Sequence, residues 1–275
     1  MKDANGYPAL YVPVAVATDF DRCFGDTEAY QKLTEQVTAE NTTLTVRQIH
    51  EARHYREKVE GKSFGTVAYI RQALLDAGEG HTWAEHIKPE LLERARVRED
   101  LFVKNGRAVL DLADRHGMPT FTMTHGHVLP PHGRQEREDA YEWQATKVVG
   151  TAPLNERPYY VSYEPSKGKT FGSWYSEANN GFLLPRHITS PDGLRIIARS
   201  LLLIDDKISS YRHWPEQHAY GIQVIPEDPK NRRPSQIGEL SREQGLYQVI
   251  GMGQAGITLE MMIHNELAKY YDLAA

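Results

Sequence analysis

Residues 10–21 read LYVPVAVATDFD, a nearly uninterrupted apolar run that ends in two aspartates. Such a run, rich in β-branched and aromatic residues, is typical of a strand buried on both faces of a parallel sheet. Asp19 and Asp21 follow this strand directly. Open α/β sheets build their ligand sites at the carboxyl ends of their strands. We therefore expect both carboxylates to lie at such an edge.

A second apolar run has the same ending. Residues 201–204 read LLLI and are followed by Asp205 and Asp206. Two strands of this kind bring up to four carboxylates to one edge of a sheet, and this concentration of negative charge needs a cation. Oxygen ligands favour Mg²⁺. The sequence therefore predicts a magnesium site formed by Asp19, Asp21, Asp205 and Asp206.

The rest of the chain alternates between helical and strand patterns. Apolar residues recur at helical spacing in four segments, residues 28–38, 46–59, 67–77 and 83–94. Further segments predict helices at 99–116, 134–148 and 257–271, and strands at 119–124, 157–163 and 220–225.

This order predicts an α/β fold, with a Rossmann-like parallel sheet flanked by helices. The core is assigned to residues 1–26 and 98–275, and an inserted helical domain to residues 27–97. Residues 226–248 are polar and contain prolines, so they are predicted to form a loop or arm within the core segment.

The composition limits the class of protein. Cys23 is the single cysteine among 275 residues, so an intramolecular disulfide is excluded and a reducing compartment, the cytoplasm, is expected. No secretory signal is visible in residues 1–9, and no apolar run approaches the ~20 residues that span a bilayer. The net charge of −5 gives no reason to expect a nucleic-acid partner. The sequence does not determine the oligomeric state, and a homodimer is one possibility.

The two acids of residues 19–21 suit phosphoryl chemistry. A cation at the sheet edge would hold a phosphoryl group and offset its charge. Asp19 could then attack phosphorus and form an aspartyl-phosphate. Asp21, two residues on, could protonate the leaving oxygen and later deprotonate a water molecule.

Together these elements resemble the motifs of the haloacid dehalogenase-like (HAD) hydrolase superfamily. The resemblance rests on Asp19-Phe20-Asp21, Thr124 at the end of a strand, a downstream lysine and Asp205-Asp206. It implies a nucleophilic Asp19, a general acid/base Asp21, and a Thr124 hydroxyl that binds the phosphoryl group. It also implies that Asp205 and Asp206 help bind Mg²⁺, joined by Asp19 and the backbone carbonyl of Asp21. Residues 27–97 would then form a C1 cap, a mobile lid that shapes substrate choice.

The motif lysine has several candidates. Lys167, followed by Gly168, resembles the Lys-Gly form of the family motif, and we predict it as the catalytic lysine. Lys169 is the alternative, and Lys147 and Lys207 are less favoured by their position. The expected role is to stabilise the Asp19 carboxylate and the phosphoryl charge.

Four further residues are predicted to contact substrate. Arg22 directly follows Asp21, and His125 and Gly126 follow Thr124; Lys169 completes the set. The chain departs from the family pattern twice. Cys23 stands where threonine or valine is usual, and Ser210 stands where an acidic residue or asparagine often supports the metal.

Two other motifs are set aside. The histidines at positions 125, 127 and 132 lack the spacing of a compact structural zinc site. Residues 251–256 (GMGQAG) satisfy GxGxxG, but the segment that follows is too short for a βαβ unit, so dinucleotide binding is not expected.

The sequence thus predicts a Mg²⁺-dependent phosphoric monoester hydrolase that acts on a small phosphorylated metabolite through an aspartyl-phosphate. Two alternatives remain. One is a phosphotransferase or phosphonatase of the same superfamily, the latter with Lys62 as its Schiff-base lysine. The other is a non-catalytic HAD-like binding protein.

Overall fold

The computed structural model describes residues 1–58, 66–125, 134–155, 157–162, 164, 166–215, 218–227 and 245–272. The chain forms two compact units. The first comprises Met1–Gly25, Phe102–Thr124 and Arg157–Ala275, and the second comprises Asp26–Leu101 and His125–Glu156.

The described part of the chain contains eight β-strands and nine α-helices. The strands are β1 (Ala9–Thr18), β2 (Thr120–His125), β3 (Tyr159–Ser162), β4 (Tyr175–Ser176), β5 (Gly181–Leu183), β6 (Arg195–Asp205), β7 (Ala219–Ile225) and β8 (Leu246–Ile250). The α-helices are α1 (Thr27–Glu40), α2 (Val46–Lys58), α3 (Thr66–Asp76), α4 (Lys88–Ala95), α5 (Gly106–Arg115), α6 (Arg134–Asn155), α7 (Lys167–Trp174), α8 (Gly251–His264) and α9 (Ala268–Asp272).

The eight strands form one sheet with β1 and β6 at its centre. β2 pairs with β1, β7 with β6 and β8 with β7, all in parallel, and β3 lies beside β2. A short hairpin of β4 and β5 pairs antiparallel with the first half of β6. The sheet confirms the predicted α/β fold, with a mostly parallel sheet flanked by helices.

The register of the central strands brings the acidic residues together. Thr18 at the end of β1 pairs with Ile204 of β6 and with Thr122 of β2. Asp19 and Asp205 are the next residues along their strands, so they emerge side by side. Most residues of β1 and β6 are buried, which explains why both strands are rich in apolar side chains.

One predicted helix begins later than expected. Residues 99–101 form only a single 3₁₀ turn, and α5 begins at Gly106, not at residue 99. Asn105, just before it, has a φ of 65°. A Cβ at position 106 would lie 2.7 Å from the Cys23 carbonyl oxygen, so this close approach of two backbones decides where the helix starts.

Other elements also differ from the predictions. The closing helix begins at Gly251, not at residue 257, and is followed by a separate helix, α9. Residues 246–248, assigned to an arm, belong to strand β8; residues 228–244 of that arm lie outside the described part. The β4–β5 hairpin and helix α7 were not predicted.

The second unit is helical and has its own core. The predicted segments correspond to α1, α2, α3 and, after a π-helical turn at Trp83–Ile87, to α4. Asp26 caps α1, accepting hydrogen bonds from the backbone N–H groups of Glu28 and Ala29 (both 3.0 Å). The buried aromatic residues Tyr30, Trp83 and Trp143 lie in this core.

Helix α6 groups with this unit, whereas the sequence assigned it to the sheet domain. The reason lies in its apolar face. Trp143 packs edge-on against Tyr30, with ring centroids 5.6 Å apart, and the Tyr30 hydroxyl donates to the Thr146 carbonyl oxygen (3.0 Å). Among the described helices, none combines the length and the apolar character that crossing a bilayer requires.

Candidate active site

Three buried carboxylates meet at the carboxyl edge of the sheet. Asp205 is the last residue of β6, Asp206 follows it, and the Asp19 N–H extends the ladder by donating to the Ile204 carbonyl oxygen (2.7 Å). One oxygen atom from each of the three aspartates lies within 4.8 Å of the others. Their residues are 2%, 0% and 1% exposed in chain order, so the cluster is almost entirely withdrawn from water.

A buried lysine lies between two of these acids. The Lys167 ammonium donates to Asp19 Oδ1 (2.6 Å) and to Asp205 Oδ2 (2.5 Å), and its side chain is 1% exposed. Charge-assisted hydrogen bonds of this kind fix both the position and the orientation of a carboxylate. The predicted lysine therefore contacts the predicted nucleophile.

Local sequence explains how Lys167 reaches the cluster. Ser166 caps α7: its hydroxyl accepts from the Lys169 N–H (3.1 Å) and donates to the Arg212 carbonyl oxygen (2.6 Å). A Cβ at Gly168 would lie 2.5 Å from that same carbonyl oxygen. The glycine thus allows the first turn of α7 to approach the 211–214 segment, which sets the depth of Lys167.

The electrostatics of the cluster oppose the charge on Asp19. Burial, reinforced by Asp205, raises the pKa of Asp19 to about 7, although Lys167 acts to lower it. Burial also acts to lower the pKa of Lys167, but the Asp19 and Asp205 carboxylates outweigh it and raise this pKa. Lys167 therefore stays protonated at neutral pH. In the absence of a further cation, Asp19 is ionised only in part at that pH.

A tight turn follows Asp19. The Phe20 carbonyl oxygen accepts from the Gly25 N–H (2.6 Å), and the Arg22 N–H donates to the Gly25 carbonyl oxygen (2.8 Å). Arg22 has a φ of 66°. Its guanidinium Nη1 lies 3.8 Å from Asp206 Oδ2, and its side chain is 21% exposed. Asp21 is half-buried on the same turn, and its charge contributes to raising the pKa of Asp19.

Cys23, on this turn, is buried and reduced. Burial, reinforced by the Asp206 and Asp19 charges, raises the pKa of its thiol well above the usual range. The thiol is therefore protonated at neutral pH and behaves as a small filler residue.

Two glutamines, on β7 and β8, lie beside the acidic residues and were not predicted from the sequence. Gln223 on β7 pairs in register with Asp205 and donates from Nε2 to the Asp206 carbonyl oxygen (3.4 Å). Gln248 on β8 in turn donates to Gln223 Oε1 (2.8 Å). A signal was present: Gln223 is a polar residue within an otherwise apolar strand, a position that usually needs a specific partner.

Lys207 is a second cation beside the acids, considered from the sequence only as a substitute for Lys167. Its backbone N–H donates to Asp205 Oδ1 (2.8 Å). Burial acts to lower the pKa of its ammonium, but the nearby carboxylates, Asp19 foremost, outweigh this effect and raise the pKa. Lys207 therefore adds positive charge to the same edge.

The other predicted residues have mixed positions. Thr124 is fully buried near the end of β2, two residues past the partner of Thr18. Lys169 is half-exposed and pairs with Glu164 (3.1 Å), so the structure directs it away from the cluster. Lys147 lies in the helical unit, over the Trp143 ring. The side chain of His125, and residues 126, 127 and 132, lie outside the described residues.

The glycine-rich segment at residues 251–256 does follow a strand and open a helix, β8 and α8. The carboxylate of Glu227 lies against its first glycine: a Cβ at Gly251 would be 2.4 Å from Glu227 Oε1. An internal carboxylate thus lies against the first turn of α8.

The donor set fits a divalent cation. Asp19 Oδ1 is held by Lys167, but Asp19 Oδ2 is buried and has no hydrogen-bond partner among the described residues. An orphaned carboxylate oxygen is costly unless a ligand completes it. Together with the two neighbouring carboxylates it offers the oxygen donors that Mg²⁺ prefers.

The fold and this cluster define an α/β protein with a carboxylate-centred candidate active site. No family model and no curated protein matches the chain. Several solved structures that it resembles are described as HAD-superfamily or haloacid dehalogenase-like hydrolases.

Three of the similar structures show the kinds of enzyme among them and the level of similarity. A haloacid dehalogenase-like family hydrolase from Xanthomonas campestris has 13% identity and a TM-score of 0.41, covering 96% of this chain and 98% of its own. A cytosolic 5′-nucleotidase IIIB bound to cytidine has 11% identity and a TM-score of 0.42, covering 95% and 87%. An L-2-haloacid dehalogenase from Xanthobacter autotrophicus has 10% identity and a TM-score of 0.40, covering 90% and 98%. Similarity this low leaves the activity to be argued from the chain's own residues.

Proposed function

We propose that the chain is a Mg²⁺-dependent phosphohydrolase that cleaves a small phosphomonoester through an aspartyl-phosphate on Asp19. The single observation that carries this proposal is the asymmetry of the Asp19 carboxylate. One of its oxygens is held by a buried lysine and the other is buried without a hydrogen-bond partner among the described residues. A carboxylate held in this way has one oxygen oriented and one available.

Asp19, Asp205 and Asp206 are the residues that would hold the cation. When bound, Mg²⁺ supplies charge stabilisation to the phosphoryl oxygens. Lys167 contributes positive charge to the same end, because its ammonium contacts both Asp19 and Asp205. Gln223 would keep the backbone of Asp206 in position.

The reaction follows from the roles of two aspartates. The Asp19 carboxylate attacks phosphorus and forms a new P–O bond while the P–O bond to the leaving group breaks. Asp21, in its acid form, gives its proton to the leaving oxygen. Asp21 then takes a proton from a water molecule, which attacks phosphorus and releases Asp19 and phosphate. The hydroxyl of Thr124 is proposed to donate to the transferring phosphoryl group.

A generic aryl phosphate tests this proposal. The purified chain should release p-nitrophenol from p-nitrophenyl phosphate with MgCl₂, and chelation should abolish this release. Asp19→Asn should remove activity, and Asp21→Asn should lower it by roughly 10²–10⁴-fold because acid–base help is lost. Asp192→Asn is the matched control: Asp192 is an exposed loop acid of the first unit.

Two results would contradict the proposal. Hydrolysis that persists in chelator excludes a cation-dependent reaction, and an active Asp19→Asn variant excludes the nucleophile. If activity is found, a panel of phosphorylated metabolites assayed with MgCl₂ identifies the preferred substrate.

A further inference from the structure

Arg22 holds a backbone conformation that suits glycine. Its φ of 66° is in the left-handed region, where a Cβ crowds the backbone and glycine is favoured. The turn requires this conformation, because the Arg22 N–H must reach the Gly25 carbonyl oxygen (2.8 Å). Glycine would meet this requirement without strain. Strained residues concentrate at functional sites, so an arginine at this position indicates a function for its side chain.

That side chain lies between the acid cluster and solvent. Its Nη1 atom is 3.8 Å from Asp206 Oδ2, longer than a good hydrogen bond, and 21% of the side chain is exposed while Asp206 is buried. An ion pair this loose holds its partner weakly. The guanidinium is therefore positioned beside a proposed metal ligand and remains accessible to a molecule that enters from solvent.

We infer that Arg22 couples the binding of the cation to the binding of the phosphoryl anion, an inference that rests on the proposed function. Without an anion, the guanidinium pairs with Asp206 and competes with the cation for this carboxylate. When a phosphoryl group binds, the guanidinium turns from Asp206 to the phosphoryl oxygens, which it can contact with two parallel N–H groups. The competition is then removed, so each ligand strengthens the binding of the other.

The coupling predicts opposite effects of one substitution. Arg22→Gln should bind Mg²⁺ alone about three- to tenfold more tightly, because a competing positive charge is lost. The same variant should bind inorganic phosphate about tenfold more weakly in saturating MgCl₂, because a charge-assisted contact is lost. Arg22→Lys keeps the positive charge but loses the two parallel N–H groups of the guanidinium. Its phosphate affinity should therefore lie between that of the wild type and that of Arg22→Gln.

The experiment is a calorimetric titration of the full-length, metal-free protein with MgCl₂ alone, and with inorganic phosphate in the presence of MgCl₂. Arg115→Gln is the matched control: it removes the same charge from an exposed position at the end of α5, before β2 begins. Arg22→Gly tests whether the role of Arg22 is purely structural. Since it relieves the left-handed strain, it should melt at an equal or higher temperature and still show the opposite effects on Mg²⁺ and phosphate.

The outcomes separate this inference from the proposed function. A wild-type protein that does not bind Mg²⁺ overturns the cation site, and with it the proposed function. A wild-type protein that binds Mg²⁺, with the same Mg²⁺ affinity in Arg22→Gln, overturns the coupling alone. A variant whose affinities for both ligands fall together also overturns it, because this result indicates a structural role for Arg22.

Discussion

The sharpest consequence of the buried cluster concerns stability and pH in the metal-free protein. Asp19 has a pKa of about 7 in the folded chain, against an ordinary value of 3.8. Below pH 4 the group is protonated in both the folded and the unfolded chain, so its ionisation contributes nothing. Between pH 4 and 7 the carboxyl ionises in the unfolded chain but not in the folded chain, so the free energy of unfolding falls as the pH rises. Above about pH 7 the carboxyl is ionised in both states, and this group lowers the free energy of unfolding no further.

The size of the effect follows from the shift. One pKa unit corresponds to about 1.4 kcal/mol, so the free energy of unfolding should fall by about 1.4 kcal/mol per pH unit across this window. The total loss is roughly 4 kcal/mol as an upper figure, because water entry and local relaxation reduce it. Asp19→Asn mimics the neutral side chain and cannot ionise. Lys167 stays protonated throughout, so the difference between the two proteins isolates Asp19.

Urea unfolding in chelator, at pH values from 4 to 8.5, measures this difference. Relative to Asp19→Asn, the wild type should lose stability steadily up to about pH 7 and then reach a plateau. Saturating MgCl₂ should restore the wild type at pH 8 and affect the variant less, because cation binding requires the ionised carboxylate. A difference between the two proteins that does not change with pH would refute the reasoning about burial.

Three further predictions concern the support of the cluster. Lys167→Met should cost about 3–5 kcal/mol in urea unfolding with chelator at pH 7.5, because it leaves buried carboxylates uncompensated; an unchanged midpoint would argue against the ion pairs. Gln223→Leu should weaken Mg²⁺ binding about tenfold in a calorimetric titration, because the Asp206 backbone loses a donor; equal affinities would remove the amide from the site. Gly168→Ala should destabilise the protein by about 1–3 kcal/mol, since its new Cβ meets a backbone oxygen at 2.5 Å; the control Gly172→Ala, on the same helix with open space around it, should be neutral or slightly stabilising.

Local sequence predicted the fold where burial is complete. Parallel strands covered on both faces are rich in apolar residues, so residues 10–18 identified β1 to within a residue, and residues 201–204 identified the carboxyl-terminal part of β6. The β4–β5 hairpin could not be recognised, because strands of two and three residues carry no pattern. The start of α5 depends on contact between distant backbones, which no local pattern encodes.

The candidate site was predictable to the extent that strand ends define it. Asp19 and Asp205 follow from strands that end at the same edge. The sequence favoured Lys167 over Lys169 only through its Lys-Gly pair, and the structure adds that Lys167 contacts Asp19 whereas Lys169 contacts Glu164. Gln223 became meaningful only when the register put it opposite Asp205.

The cluster is better explained by function than by stability. Three carboxylates almost withdrawn from water repel one another, and an apolar set of side chains at this edge would fold without that repulsion. Lys167 offsets part of the charge, yet it holds only one oxygen each of Asp19 and Asp205. A sheet edge selected only for stability would not leave Asp19 Oδ2 buried without a described partner. The remaining negative charge is therefore explained best by the binding of a cation. Because the cation would bind only the folded chain, the stability of the chain at pH 8 should depend on the cation concentration.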